Sequence, residues 1–165
     1  MLRHAVAGAI LAGVYGVLHD QVTYSISPEY FTRLKFSQFH YANFGLPPRL
    51  FVAEIGFLAT WWVGFMAAWF MTRITVPTFP AAIITRHTIH GFLIIFTCAF
   101  PAAIVGYVLS LFHGPDYSAW EETASTLGIL DLPNFVRVAY IHNAGYLGGL
   151  IGLVAAILYL RKLRP

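Results

Sequence analysis

The run LFVAEIGFLATWWVGFMAAWFM at positions 50–71 predicts a membrane-spanning helix, because Glu54 is its only charged residue. An α-helix rises about 1.5 Å per residue, so about 20 residues cross the roughly 30 Å hydrocarbon core of a bilayer. Comparable apolar runs occur three more times in the chain. The predicted transmembrane helices lie at about residues 4–26, 50–72, 87–112 and 135–160.

The composition supports the same prediction and excludes other classes of protein. Of the 165 residues, 58% are hydrophobic and only 10% are charged, whereas a soluble domain carries about 25% charged residues. The net charge of +3 is too small and too dispersed for a nucleic-acid-binding surface. We therefore expect one all-α integral membrane domain over residues 1–165, a four-transmembrane-helix bundle surrounded by the lipid bilayer.

Basic residues predict the orientation of the helices, because Lys and Arg are enriched in cytoplasmic loops. They precede the first helix, flank the second connection and follow the fourth helix, at Arg3, Arg73, Arg86, Arg161, Lys162 and Arg164. The third connection is acidic and carries no Lys or Arg before Arg137. We expect a protein of the bacterial inner membrane, with both termini in the cytoplasm and the first and third connections outside.

The first connection contains a second kind of helix. Ser27 is a favourable capping residue, Pro28 suits the first helical position, and Glu29 places an acid in the first turn. Aromatic and polar residues alternate after this start. The pattern predicts an amphipathic helix over about 27–41, between helices one and two, lying at the outer membrane interface.

Small residues at three- or four-residue spacing mark the packing face of a membrane helix. Three of the predicted helices carry such a stripe, and each stripe runs into a titratable residue at the same end of the bundle. The stripes are Gly8, Ala12 and Gly16; Ala99, Ala103, Gly106 and Ser110; and Gly145, Gly149, Gly152 and Ala156. The residues that continue them are His19 with Asp20, His113, and His142, in that order. We expect these four side chains to converge in a pocket under the amphipathic helix.

Histidine nitrogen combined with carboxylate oxygen suits a transition metal such as Fe, Zn or Cu. The predicted metal ligands are His19, Asp20, His113 and His142. Asn143 and Tyr146 are predicted to form hydrogen bonds around them. Glu29 is a candidate further ligand or catalytic general base. A metal at this place would support redox chemistry or metal-assisted hydrolysis.

Other interpretations stay open from sequence alone, including whether the chain is an enzyme. A b-type haem for electron transfer could lie between His142 and either His19 or His113. The Asp20–His142 pair could also simply tie two helices together. A small, glycine-rich helical chain further fits a non-catalytic subunit or assembly partner of a larger membrane complex, or a homo-oligomer.

Two polar features lie outside the predicted pocket. Glu54 is off the packing stripe of the second helix, and we expect it to reach the interface or to pair with Arg49. His87 and His90 share a helix face at the opposite end of the bundle. Arg86 beside them would repel a metal cation, so this second group favours lipid headgroups or solvent.

Overall fold

The computed structural model describes residues 1–112 and 117–163. Its four long helices are α1 (Leu2–Ile26), α2 (Pro48–Thr75), α3 (Ala81–Leu111) and α4 (Leu132–Lys162). Each of them is long and apolar enough to cross a membrane, and no strand occurs in the described residues. The predicted all-helical architecture with four apolar helices is therefore confirmed.

The helices extend beyond the apolar runs that predicted them. Helix α3 begins at Ala81, directly after Pro80, rather than at about residue 87. Helix α4 begins at Leu132, where the Asp131 side chain accepts a hydrogen bond from the backbone N–H of Asn134. Hydrophobicity marks the part of a helix that fits the hydrocarbon core, whereas capping residues and prolines mark where the helix itself begins.

Helices α1 and α2 pack antiparallel with their backbones in contact. Gly16 lies against Gly56, and two turns away Gly8 lies against Gly64. A Cβ atom on any of these four glycines would overlap the backbone of the facing helix. The small-residue stripe of the first helix is thus the face that contacts α2, and it fixes the depth at which the end of α1 stands.

Helices α3 and α4 form a second close pair. Gly148 lies against the carbonyl oxygen of Cys98, and Gly152 lies against Ile95. Gly149, which the predicted stripe included, has open space where a Cβ would stand. The prediction was wrong at Gly149 and missed Gly148, because neighbouring glycines fit two overlapping stripes and only the contacts distinguish them.

The first connection forms a broken helical segment that packs beside the end of α1 and the start of α4. We call residues 30–42 the cap segment; it consists of a π-helical turn (Tyr30–Lys35), a short α-helical turn (Phe36–Gln38) and a 3-10 turn (His40–Ala42). Its start is capped as expected, since Ser27 Oγ accepts a hydrogen bond from the Tyr30 N–H (3.3 Å). Tyr30 and Phe31 are buried against Val52 and Phe135. The segment therefore covers the end at which α1 finishes and α4 begins, which we call the ligand end.

Candidate metal centre

Three predicted ligands converge at the ligand end. His19 and Asp20 stand near the end of α1, and His142 stands in the first half of α4. Each offers one ligand atom, and these three atoms lie within 4.8 Å of one another. Among the described residues this is the one such group of three or more His, Cys, Asp or Glu side chains. The predicted His and Asp cluster is confirmed for these three residues.

A hydrogen bond to the backbone identifies one His142 ring nitrogen that carries a hydrogen. Its Nδ1 lies 3.0 Å from the carbonyl oxygen of Val138, which can only accept, so Nδ1 carries a hydrogen and donates. A neutral imidazole then has a lone pair on Nε2. That Nε2 faces the Asp20 Oδ1 at 3.3 Å. Two acceptors facing each other in a buried place require a proton or a cation between them.

The separation of these two atoms also fits metal coordination. Protein nitrogen and oxygen ligands stand about 2.0–2.2 Å from a zinc ion, which places two of them about 2.8–3.6 Å apart for bond angles between octahedral and tetrahedral. The Nε2 to Oδ1 distance of 3.3 Å lies in this range. The Val138 carbonyl orients the ring from behind, as the outer partner of a metal-binding histidine commonly does.

Aromatic rings enclose the three side chains. Tyr30 of the cap segment stacks on His142 with ring centroids 4.9 Å apart. Tyr15, one turn before His19 on α1, stacks on His19 at 5.7 Å. Only 2% of His142 and 6% of Asp20 remain exposed. An unpaired carboxylate in such a place is costly, so a bound cation or proton is needed to stabilise it.

Two cap residues face the same site and respond to its charge. Burial, reinforced by Tyr146 and Asp20, raises the pKa of the Tyr30 phenol, which therefore stays protonated at neutral pH. Burial lowers the pKa of the Lys35 ammonium, and the negative charge of Asp20 opposes this shift. The Lys35 Nζ stands 5.8 Å from the centre of the Tyr30 ring. The cap thus supplies a hydroxyl and an ammonium group that interact electrostatically with the Asp20 carboxylate.

Glu29 stands outside the three-ligand group. Its carboxylate accepts hydrogen bonds from the backbone N–H groups of Leu130 (3.0 Å) and Asp131 (2.7 Å). Asp131 in turn caps α4, the helix that carries His142. The carboxylate therefore ties the residue before the cap segment to the start of α4, and it does not join the group of His19, Asp20 and His142.

Of the remaining predicted site residues that the structure describes, only Tyr146 is found in contact with the candidate metal centre. Tyr146 contacts the His142 ring with centroids 5.9 Å apart. Asn143 is exposed, so it does not belong to the buried wall of the site. His113 lies outside the described residues. Prediction missed Tyr15 and Tyr30, although both follow a readable signal. Tyr15 precedes His19 by one helical turn, and Tyr30 directly follows the capping sequence.

Arg49, Glu54 and His87 lie outside the candidate metal centre and have other surroundings. Arg49 donates hydrogen bonds to Gln21 and Ser25 (both 3.3 Å). The prediction that it pairs with Glu54 is therefore wrong. One carboxylate oxygen of Glu54 is buried without a hydrogen-bond partner among the described residues. At the opposite end of the helices the His87 ring packs on Phe79.

The geometry does not favour haem between His19 and His142. Their ring centroids lie only 4.8 Å apart, with the rings nearly perpendicular in an edge contact. A haem iron ligated by two imidazoles needs the macrocycle between opposed nitrogens. Here the Nε2 of His142 is directed at the Asp20 carboxylate instead.

Comparison of this chain with protein-family models, with curated proteins and with solved structures gave no match. A functional assignment therefore follows from the chemistry of the residues. Two imidazoles and one carboxylate can hold a single divalent transition metal and leave coordination positions open.

Proposed function

We propose that this protein is a membrane metalloprotein that binds one divalent transition metal, iron or zinc, through His19, Asp20 and His142. The observation that carries the proposal is the convergence of His142 Nε2, an Asp20 carboxylate oxygen 3.3 Å away and a His19 ring nitrogen, all within 4.8 Å of one another. A metal ion satisfies these acceptors at once. It also accounts for a carboxylate held in a largely buried, aromatic-lined place.

The competing explanation is a buried ion pair between an imidazolium and the carboxylate. Such a pair needs only two residues, and its desolvation cost can exceed the attraction between its charges. The presence of a second imidazole at the same point favours a metal. An ion pair between Asp20 and His142 leaves the His19 ring without a role, whereas a metal cation binds both neutral rings.

The described residues supply three protein ligands, and this number favours catalysis over a purely structural metal. Structural zinc sites are usually closed by four protein ligands, whereas catalytic sites keep a position open for water or substrate. Two histidines and one carboxylate with open positions are also the ligand set of many non-haem Fe(II) enzymes. Zinc would activate a water molecule for hydrolysis, and iron would support redox chemistry.

We further propose that the ligand end faces the outside of a bacterial inner membrane. Most basic connections lie at the other end of the helices, which carries Arg3, Arg73, Arg86, Arg161 and Lys162. The cap segment would then lie at the outer interface, with its apolar side on Phe135 and Val52. Arg33, Lys35 and Arg49 stand at the ligand end and weaken this charge asymmetry without reversing it.

Elemental analysis of the purified protein tests the proposal. The wild-type chain should hold about one iron or zinc ion per chain, as expected for a site with three protein ligands. Asp20→Asn should lose the metal, because the amide carries no negative charge. Glu54→Gln is the matched control, since it neutralises another carboxylate of the membrane-spanning helices and should keep the metal.

The measured metal contents distinguish a metal site from a buried ion pair. A wild-type protein without metal after purification and after incubation with Fe(II) or Zn(II) would support the ion pair and overturn the proposal. Metal content that is unchanged in Asp20→Asn would overturn this ligand set.

A further inference from the structure

An apolar crevice lies between α1 and α3 at the end of the bundle opposite the metal centre. Its volume is about 550 Å³. Its walls are formed mainly by Ala7 and Leu11 of α1 and by Ile89, Phe92, Leu93 and Phe96 of α3. Leu11, Ile89 and Leu93 are exposed on the surface of the helices, where lipid surrounds a membrane-spanning chain. The crevice is therefore open to the bilayer.

The dimensions of the crevice indicate what fills it. The wall of α3 from Thr85 to Phe96 is about 16 Å long at the rise of an α-helix, which is about half of the roughly 30 Å hydrocarbon core. One leaflet, and hence one acyl chain, has this length. A further helix is about 10 Å in diameter and does not fit the crevice volume of about 550 Å³.

Polar and basic residues occur where α1 and α3 begin, at the same end of the molecule as the crevice. His4 Nε2 hydrogen-bonds to Thr85 Oγ1 across the two helices (2.9 Å). The other ring nitrogen of His4 is buried and has no partner in the described part of the chain. Arg3 and Arg86 directly neighbour this pair in sequence, and both are exposed. Two guanidinium groups beside an apolar slot complement a lipid with an anionic head group.

We propose that this crevice is a binding site for one anionic phospholipid. One acyl chain fills the space between α1 and α3, and the phosphate lies at Arg3 and Arg86. The lipid then joins the α1–α2 pair to the α3–α4 pair at the end where α1 and α3 stand apart. This site is independent of the metal centre.

Native mass spectrometry of the detergent-purified protein tests this proposal with two lipids of identical acyl chains. Phosphatidylglycerol should give a stable one-to-one adduct, and phosphatidylcholine should bind about tenfold more weakly, a difference of about 1.4 kcal/mol. Replacing both arginines, Arg3→Gln with Arg86→Gln, should abolish this preference. Arg161→Gln with Lys162→Gln removes the same charge from the same end and should leave the preference intact.

Filling the crevice provides a second test that does not depend on charge. Ala7→Trp places an indole in the slot and should prevent the adduct with either lipid. Ile10→Trp, on an exposed part of α1 outside the crevice lining, should bind phosphatidylglycerol like the wild type. Equal binding of both lipids by the wild type, or equal effects of the two charge-removing double variants, would overturn the proposal. So would an undiminished adduct in folded Ala7→Trp.

Discussion

The molecule carries two groups of histidines, one at each end of its helices, and they are built differently. At the ligand end, His19 and His142 come from different helices and meet at one carboxylate. At the other end, His4 is hydrogen-bonded to Thr85, and His87 packs on Phe79. No group of three potential metal ligands forms there among the described residues.

The difference shows what turns histidines into a candidate metal site. Number and closeness in sequence are not enough, because His87 and His90 lie one turn apart on a single helix. The ligand end adds a buried carboxyl group, and a backbone carbonyl that orients the His142 ring so that Nε2 faces this group. It also adds a cover of aromatic rings that excludes water and strengthens the electrostatic attraction for a cation.

The largest expected effect comes from breaking the helix contact that sets the depth of the ligand end. Gly16→Leu forces α1 away from the backbone of α2 at Gly56. We expect a loss of stability of about 1–3 kcal/mol or more, as for overpacking, together with loss of bound metal. Gly149→Leu is the matched control, because open space surrounds that position. Thermal unfolding in detergent measures both, and equal stability of the two variants would contradict the described packing.

The next effect concerns the cover over the ligands. Tyr30→Ala removes the ring that stacks on His142 and admits water. We expect metal affinity to fall about 10- to 100-fold, as for loss of an outer-shell partner. Phe79→Ala removes the ring that packs on His87 at the other end and should leave metal affinity unchanged. Competition with a metal-binding dye measures the affinities, and a larger loss in Phe79→Ala would reverse the roles of the two ends.

Much of this comparison could be predicted from sequence, and the limits have physical causes. Helical periodicity brought His19, Asp20 and His142 to one end, since stripes of small residues show which face of each helix points inward. The same periodicity could not choose between Gly148 and Gly149, because both lie in glycine-rich stripes. The role of Glu29 was also out of reach. Its partners are backbone N–H groups about 100 residues away in the chain, and backbone groups leave no mark in the sequence.

A smaller effect shows whether Glu29 stabilises the start of α4 or binds the metal itself. Glu29→Ala leaves two N–H groups before α4 without their carboxylate, and we expect a loss of about 1 kcal/mol of stability with metal still bound. Glu29→Gln keeps an acceptor and should lose less. Unfolding temperature and metal content are measured on the same samples. Complete loss of metal with unchanged stability would make Glu29 a ligand.

The smallest effect is a pH dependence caused by Tyr30. Its pKa is raised in the folded protein, chiefly by burial, so the folded state holds the phenolic proton more tightly than the unfolded state. Its contribution to stability is complete below the unfolded pKa of about 10 and is lost as the pH rises from there toward the folded pKa. As the pH rises above about 10, the folding stability of Tyr30→Phe should therefore decrease less than that of the wild type. Parallel unfolding curves of the two proteins would contradict this.

An X-ray absorption spectrum of the metal-loaded protein tests the central claim most directly. With His19, Asp20 and His142 as ligands, we expect scattering from two imidazole rings and a carboxylate oxygen at about 2.0–2.2 Å from the metal. One imidazole contribution should disappear in His142→Ala, or the metal should be lost, while His87→Ala should give the wild-type spectrum. The opposite result would be loss of imidazole scattering in His87→Ala with unchanged scattering in His142→Ala. It would show that the metal binds at the end of the helices that carries His87, and it would overturn the proposed ligand set.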